Sequence, residues 1–144
     1  MLIFKTTNFK QTKDLAKLLA RTIFRERKIN NNKKALVLAL SGELGGGKTT
    51  FVQGFMAGAG IKKKITSPTF VLLKNYKLIY HIDCYRIKKA KELLGLGLRE
   101  ILINPKNIVL IEWPEIVKKY LPKSAIWIKF KYGKKENERT INFK

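Results

Sequence analysis

The stretch Leu38–Phe51, LALSGELGGGKTTF, decides how the rest of the chain is read. An apolar run stops at Ser41, a glycine-rich segment follows, and Lys48, Thr49 and Thr50 close it. Gly42 to Thr49 fits G-x-x-x-x-G-K-[ST], the phosphate-binding P-loop. Its context fits as well. Ala35–Leu40 (ALVLAL) has the unbroken apolar character of a strand buried on both faces of a parallel sheet. Phe51 and Phe55 then recur at helical spacing. Each residue type has a physical reason to be there. Gly45, Gly46 and Gly47 let backbone N–H groups curl toward phosphate oxygens where side chains would clash. A helix beginning near Lys48 adds its positive end. Lys48 supplies a point charge to the outer phosphates, the Thr49 hydroxyl suits Mg²⁺, and Thr50 completes the loop.

Outward from this loop, strands and helices alternate. Leu2–Phe4 reads as a first strand, and Leu15, Leu18, Leu19, Ile23 and Phe24 give an amphipathic helix from Thr12 to about Arg27. Thr66–Phe70 (TSPTF) leads into a strand, and Val71–Asp83 reads as a hairpin turning near Lys74–Asn75. Lys91–Leu102 is helix broken by Gly95 and Gly97. Asn107–Glu115 is a buried strand ended by Pro114, followed by helix to about Leu121. Ala125–Phe143 alternates apolar and polar residues about a turn and forms a last hairpin. The expected fold is α/β and P-loop NTPase-like. Three layers, a mostly parallel central sheet with antiparallel hairpins, and helices on both faces make one domain over residues 1–144.

Composition narrows the function classes. The chain is 45% hydrophobic and 28% charged, with one cysteine, Cys84, and one histidine, His81. A disulfide framework or a Cys/His zinc site within one chain is thereby excluded. The start lacks the layout of a secretory signal and no apolar run approaches membrane-spanning length, so a cytoplasmic protein is expected. The net charge of +21 points toward phosphate-rich partners, yet lysines outnumber arginines 25 to 6 in scattered clusters without an RNA-binding signature. A basic, solvated surface accounts for most of it.

A P-loop needs acidic help for its metal. Of the two aspartates, Asp14 lies on the surface of the first helix. Strand alternation puts Asp83 on one face with His81 and Tyr85, and Cys84 on the other as a small buried hydrophobe. A packed or hydrogen-bonded structural role is the reading for His81. Glu112 ends the apolar run Ile108–Ile111, the Walker B arrangement for an acid near Mg²⁺. Spacing leaves Trp113 open between core aromatic and exposed contact. Ser67-Pro68-Thr69 stands where GTPase switch segments sense the γ-phosphate, and equally where a rigid strand entry would stand. Glu43, inside the loop, is expected to point outward.

The set GELGGGKTTF, SPTF, HIDCYR, LGL and IEWPE, in this order, resembles the TsaE (YjeE) family over nearly the whole chain, from about Leu2 to Phe143. These are P-loop ATPases required for making threonylcarbamoyladenosine in tRNA. The resemblance implies a slow ATPase that binds ATP with Mg²⁺ and acts with the TsaB–TsaD pair, reaching tRNA through that complex. It implies Lys48, Asp83 and Glu112 as catalytic residues, with Thr49, Asp83 and Glu112 on the metal side. Ser67, Pro68 and Thr69 become the switch-like segment, and Trp113 a neighbouring functional aromatic. Gly46 stands where alanine is common and Cys84 where leucine is common; neither removes a chemical group. The alternatives are a small-molecule P-loop kinase, a GTPase and a basic RNA-binding module. The kinase wants an arginine-rich lid, and only Arg86 and Arg99 lie near candidate loops; the GTPase lacks N-K-x-D and D-x-x-G motifs.

Overall fold

The computed structural model describes residues 1–27, 33–66 and 72–144. The chain falls into two compact groups, and the division passes through one strand, between Ser41 and Gly42.

The first group contains β1 (Leu2–Thr6), α1 (Phe9–Arg27), the glycine loop with α2 (Lys48–Gly58), and β7 (Arg139–Phe143) paired to β6 (Ile126–Tyr132) from Ile128 onward. Its strands are antiparallel in the order β1–β7–β6, with Phe4 opposite Ile141 and Ile141 opposite Phe130. Helix α1 starts three residues earlier than periodicity alone predicts. The Asn8 side chain accepts the Gln11 N–H at 2.9 Å while the Gln11 side chain accepts the Thr7 N–H at 2.8 Å, a reciprocal N-terminal cap. Helices α1 and α2 approach closely because α2 carries glycine where they touch. A methyl group on Gly54 would lie 2.3 Å from the Lys13 carbonyl oxygen, and one on Gly58 would lie 2.4 Å from that of Lys17. Ala16 and Ala20 are fully buried on α1. The Phe51 ring meets Phe130 edge-on at 5.5 Å.

The second group contains β2 (Leu36–Gly42, as far as Ser41), β3 (Leu73–Tyr76), β4 (Ile79–Asp83), α3 (Lys91–Gly95), α4 (Leu98–Ile103), β5 (Ile108–Glu112) and a 3₁₀ helix (Pro114–Tyr120). Strands β2, β5 and β4 are parallel neighbours in that order, and β3 is antiparallel to β4. One sheet face, bearing Val37, Val109, Ile111 and Ile82, is covered by Leu93, Leu98, Leu102 and Val117 from the helical segments. All five residues of β5 are buried, as its apolar run Ile108–Ile111 requires, and the burial extends to Glu112 at its end.

The expected parallel α/β core with antiparallel hairpins is therefore present, and the helix break at Gly95–Gly97 falls where expected. The β3–β4 turn lies three residues later than expected, at Lys77–Leu78 rather than Lys74–Asn75. Lys77 takes a positive φ of 59°, a conformation that asparagine or glycine usually signals. Among the described residues no helix is long and apolar enough to cross a membrane.

Candidate nucleotide site

The glycine loop grows out of β2 at a position only glycine fits. Gly42 has φ 128°, and a Cβ there would lie 2.3 Å from the Phe130 carbonyl oxygen. The chain then turns back, with the Gly46 N–H donating to the Glu43 carbonyl at 3.0 Å. Gly47 enters α2 in the left-handed region, and its carbonyl accepts the Phe51 N–H at 2.9 Å. The Glu43 side chain is exposed, as expected for an acid in a phosphate-binding loop.

Lys48 is the first residue of α2 and is buried at 4% exposure. Its ammonium folds back into the loop and donates to the carbonyls of Gly42 at 2.8 Å and Glu43 at 2.7 Å. A buried cation needs such partners. These neutral carbonyls hold the charge at the loop, where phosphate oxygens would be far stronger acceptors. Thr49 and Thr50 follow in the first turn of α2, both half-buried.

Two residues absent from the motif strap the loop from the β6–β7 hairpin. The Tyr132 hydroxyl donates to the Leu44 carbonyl. The Arg139 guanidinium donates to the Gly45 carbonyl at 3.0 Å and to the carbonyls of Glu136 and Glu138 at 2.6 and 2.8 Å. It lies 4.6 Å above the Tyr132 ring centroid and 5.9 Å from that of Phe9. Arg139 is buried, and its Nε has no hydrogen-bond partner among the described residues. A cavity of about 600 Å³ opens beside these groups, lined by Lys5, Thr6, Thr7, Tyr132, Arg139 and Thr140 among others. It shares Arg139 with the glycine loop. No local sequence pattern marks this wall: Arg86 and Arg99 are the arginines near candidate loops for a kinase lid, whereas the arginine on the glycine loop is Arg139, more than 90 residues downstream. A lone arginine in a lysine-rich hairpin was the available signal.

The acidic residues sit on the second group. Parallel register sets Asp83 of β4 opposite Glu112 of β5, so the two carboxylates end neighbouring strands on one face. Asp83 Oδ1 accepts the Tyr85 N–H at 2.9 Å, fixing the chain as it leaves β4. Glu112 is 2% exposed; its carbonyl accepts the Cys84 N–H at 2.9 Å, and its Oε1 lies 2.8 Å from His81 Nε2. The expected hydrogen-bonded role for His81 therefore holds, and its partner is Glu112. Trp113 resolves as a half-buried aromatic packed on the second group's core, its ring 5.1 Å from that of Tyr85. Its backbone has φ 56° and ψ 54°, a costly conformation for a bulky side chain. The Trp113 N–H donates to the Leu40 carbonyl at 3.1 Å, and Pro114 starts the 3₁₀ helix. Cys84 is buried as expected, and desolvation, followed by the charges of Asp83 and Glu115, pushes its thiol up to about 12. The switch-like residues Ser67, Pro68 and Thr69 lie outside the described residues.

The chemistry of each group suits the expected ligands. Within the second group Asp83 and Glu112 offer hard oxygen atoms of the kind Mg²⁺ takes, and within the first the Thr49 hydroxyl is an oxygen of the same kind beside the glycine loop. The looped-back Lys48 and the unpartnered Arg139 Nε fit a triphosphate-bearing molecule.

Comparison with known proteins shows the family. The chain is 36% identical over 144 residues to the tRNA threonylcarbamoyladenosine biosynthesis protein TsaE of Bacillus subtilis, covering 97% of this chain and 83% of that protein. It is 41% identical over 126 residues to the protein of the same name from Rickettsia bellii, covering 84% and 80%. The crystal structure of Bacillus subtilis YdiB superposes with a TM-score of 0.75 at 34% identity, over 99% of this chain and 83% of that one. A family model described as threonylcarbamoyl adenosine biosynthesis protein TsaE matches residues 6–141, and the chain belongs to this family.

Proposed function

We propose that the protein is a Mg²⁺-dependent ATPase of low basal turnover, serving tRNA threonylcarbamoyladenosine biosynthesis in the cytoplasm together with the TsaB–TsaD pair. The observation that carries this reading is the buried Lys48, whose ammonium is held by the carbonyls of its own glycine loop in a chain of the TsaE family. Several side chains then have roles. Lys48 and the N–H groups of Gly45 to Thr50 bind the phosphates. Arg139, Tyr132, Thr6 and Thr7 supply a polar wall for the nucleoside, because their cavity adjoins that loop through Arg139. Thr49, Asp83 and Glu112 are the oxygen donors assigned to the metal, and Trp113 holds the end of β5 in place. Mg²⁺, when bound, supplies positive charge against the charge that develops on the phosphates. Ser67 to Thr69 keep the switch-like role that the family resemblance gives them. One domain is the natural reading, since the two groups share the continuous strand β2.

The test is ATP hydrolysis at physiological salt with and without Mg²⁺, alone and with the matching TsaB–TsaD pair. Slow metal-dependent turnover that the pair accelerates is expected. Phosphate transfer to a nucleoside or small alcohol would favour a kinase. Nucleotide binding with no turnover in either setting would remove the ATPase assignment.

A further inference from the structure

We propose that His81 is a positioning residue for Glu112, fixing the carboxylate's orientation through its Nε2–H and thereby setting how well the protein uses Mg²⁺. The inference rests on the assignment of Glu112 to the metal side.

The geometry is local to two paired strands. Register places His81 of β4 opposite Leu110 of β5, and Asp83 opposite Glu112. His81 and Asp83 are two residues apart, so they share a face with Leu110 and Glu112. The imidazole therefore reaches diagonally along the sheet to Glu112, with Nε2 and Oε1 2.8 Å apart. Both side chains are buried, His81 at 0% exposure and Glu112 at 2%. Water does not compete for this contact.

The tautomer follows from what the other ring nitrogen meets. His81 Nδ1 is buried and has no hydrogen-bond partner among the described residues. A hydrogen on Nδ1 would be a buried donor without an acceptor, and Nε2 would then face the carboxylate with a lone pair. A hydrogen on Nε2 gives the carboxylate its donor and leaves only a bare lone pair unpaired. Nε2 therefore carries the hydrogen and donates to Glu112. The Glu112 backbone is held as well, by the Cys84 N–H on its carbonyl. A carboxylate anchored at both its main chain and one oxygen presents a fixed face, as partners behind metal-binding groups generally ensure.

A histidine that only fills the core would, on removal, lower stability and weaken every form of nucleotide binding together. A positioning histidine has a narrower signature. We would compare the full-length wild type with His81→Leu, which removes the donor, and His81→Gln, which retains an N–H. ADP would be titrated calorimetrically with Mg²⁺ and with chelator. His81→Leu should lose about tenfold to a hundredfold of the Mg²⁺-dependent gain in affinity. Its affinity in chelator should stay within about twofold of wild type, and His81→Gln should recover most of the gain. Equal behaviour of the two variants overturns the proposal. Because His81 is the chain's single histidine, its ring ¹⁵N signals can also be read in the intact protein without assignment. They should report the Nε2–H tautomer and shift when Mg²⁺ is added to the ADP complex. A Nδ1–H tautomer, or no shift, overturns the proposal even if His81→Leu does not fold. The two levels separate cleanly. A wild type with no Mg²⁺-dependent gain removes the ATPase reading and this role with it, whereas a normal gain kept intact in His81→Leu removes the role alone.

Discussion

Thr49 carries the smallest change with a sharp consequence. It follows Lys48 in the first turn of α2, where its hydroxyl is an oxygen donor and its backbone N–H belongs to the helix start. Thr49→Ala removes the hydroxyl and leaves the turn intact. Mg²⁺-dependent hydrolysis should fall by about tenfold or more, with nucleotide affinity in chelator nearly unchanged. Steady-state turnover measured alongside a chelator titration checks both halves, and unchanged turnover would remove Thr49 from the metal. Cys84 makes a different test. Its thiol is displaced upward from 9.0 to about 12, with desolvation the leading cause. Between those values the unfolded thiol has ionised while the folded one has not, so the unfolded chain binds fewer protons. The stability this group contributes is whole below pH 9 and is lost as pH rises toward 12. Cys84→Ala should flatten that part of the alkaline decline in urea-unfolding curves, and the native thiol should resist a disulfide reagent at pH 8 until denaturant is added. The glycine loop was legible at this scale because all its determinants are contiguous. The tie between His81 and Glu112 was not, although alternation already put His81 and Asp83 on one face: the β4–β5 register, spanning residues 31 apart, is a tertiary fact.

The contact between α1 and α2 is set by backbone proximity rather than by large side chains. Gly54 faces the Lys13 backbone so closely that an added Cβ would sit 2.6 Å from its Cα. Gly54→Ala gains helix propensity, worth about 1 kcal/mol in an unhindered helix. Here it must push two helices apart, and overpacking of this kind costs about 1–3 kcal/mol. A net loss of stability is expected, read as a lowered midpoint in thermal melts. A rise in the midpoint would show that α1 yields freely. Because α2 begins at Lys48, the same substitution should also weaken nucleotide binding modestly. At this scale apolar periodicity placed the helices and the Gly95–Gly97 break correctly. It failed where single polar residues decide. The Asn8 cap moved the start of α1 to Phe9, and Lys77 accepted a positive φ that shifted the β3–β4 turn away from Asn75. The loop's Arg139 and Tyr132 straps belong to the same class, since a hairpin 90 residues away delivers them and no local pattern encodes that.

The whole chain carries a net charge of +21 from 31 basic and 10 acidic residues, and that charge bears directly on what the protein contacts. A polycation attracts any nucleic acid by releasing counterions, and such binding weakens steeply with salt. A dedicated RNA-binding module adds base stacking or edge contacts that salt does not remove. Here the charge is mostly lysine, in short runs such as Lys62–Lys64 and Lys134–Lys135, rather than arginine set among aromatics. The protein alone should therefore bind tRNA and an unrelated RNA of equal length with equal strength at 50 mM salt. Both should lose about a thousandfold or more in affinity by 200 mM if some six or more phosphates are engaged. ADP or ATP with Mg²⁺ should alter that binding little, because among the described exposed lysines Lys5 and Lys134 alone line the cavity assigned to the nucleoside. Filter binding across a salt series, with and without nucleotide, decides the matter. Salt-resistant preference for tRNA, or binding that nucleotide switches on, would mean that the basic surface reads RNA directly and that ATP turnover serves that contact. Indifference to sequence and nucleotide would leave recognition of the substrate tRNA to the protein's partners, with this chain supplying the nucleotide cycle.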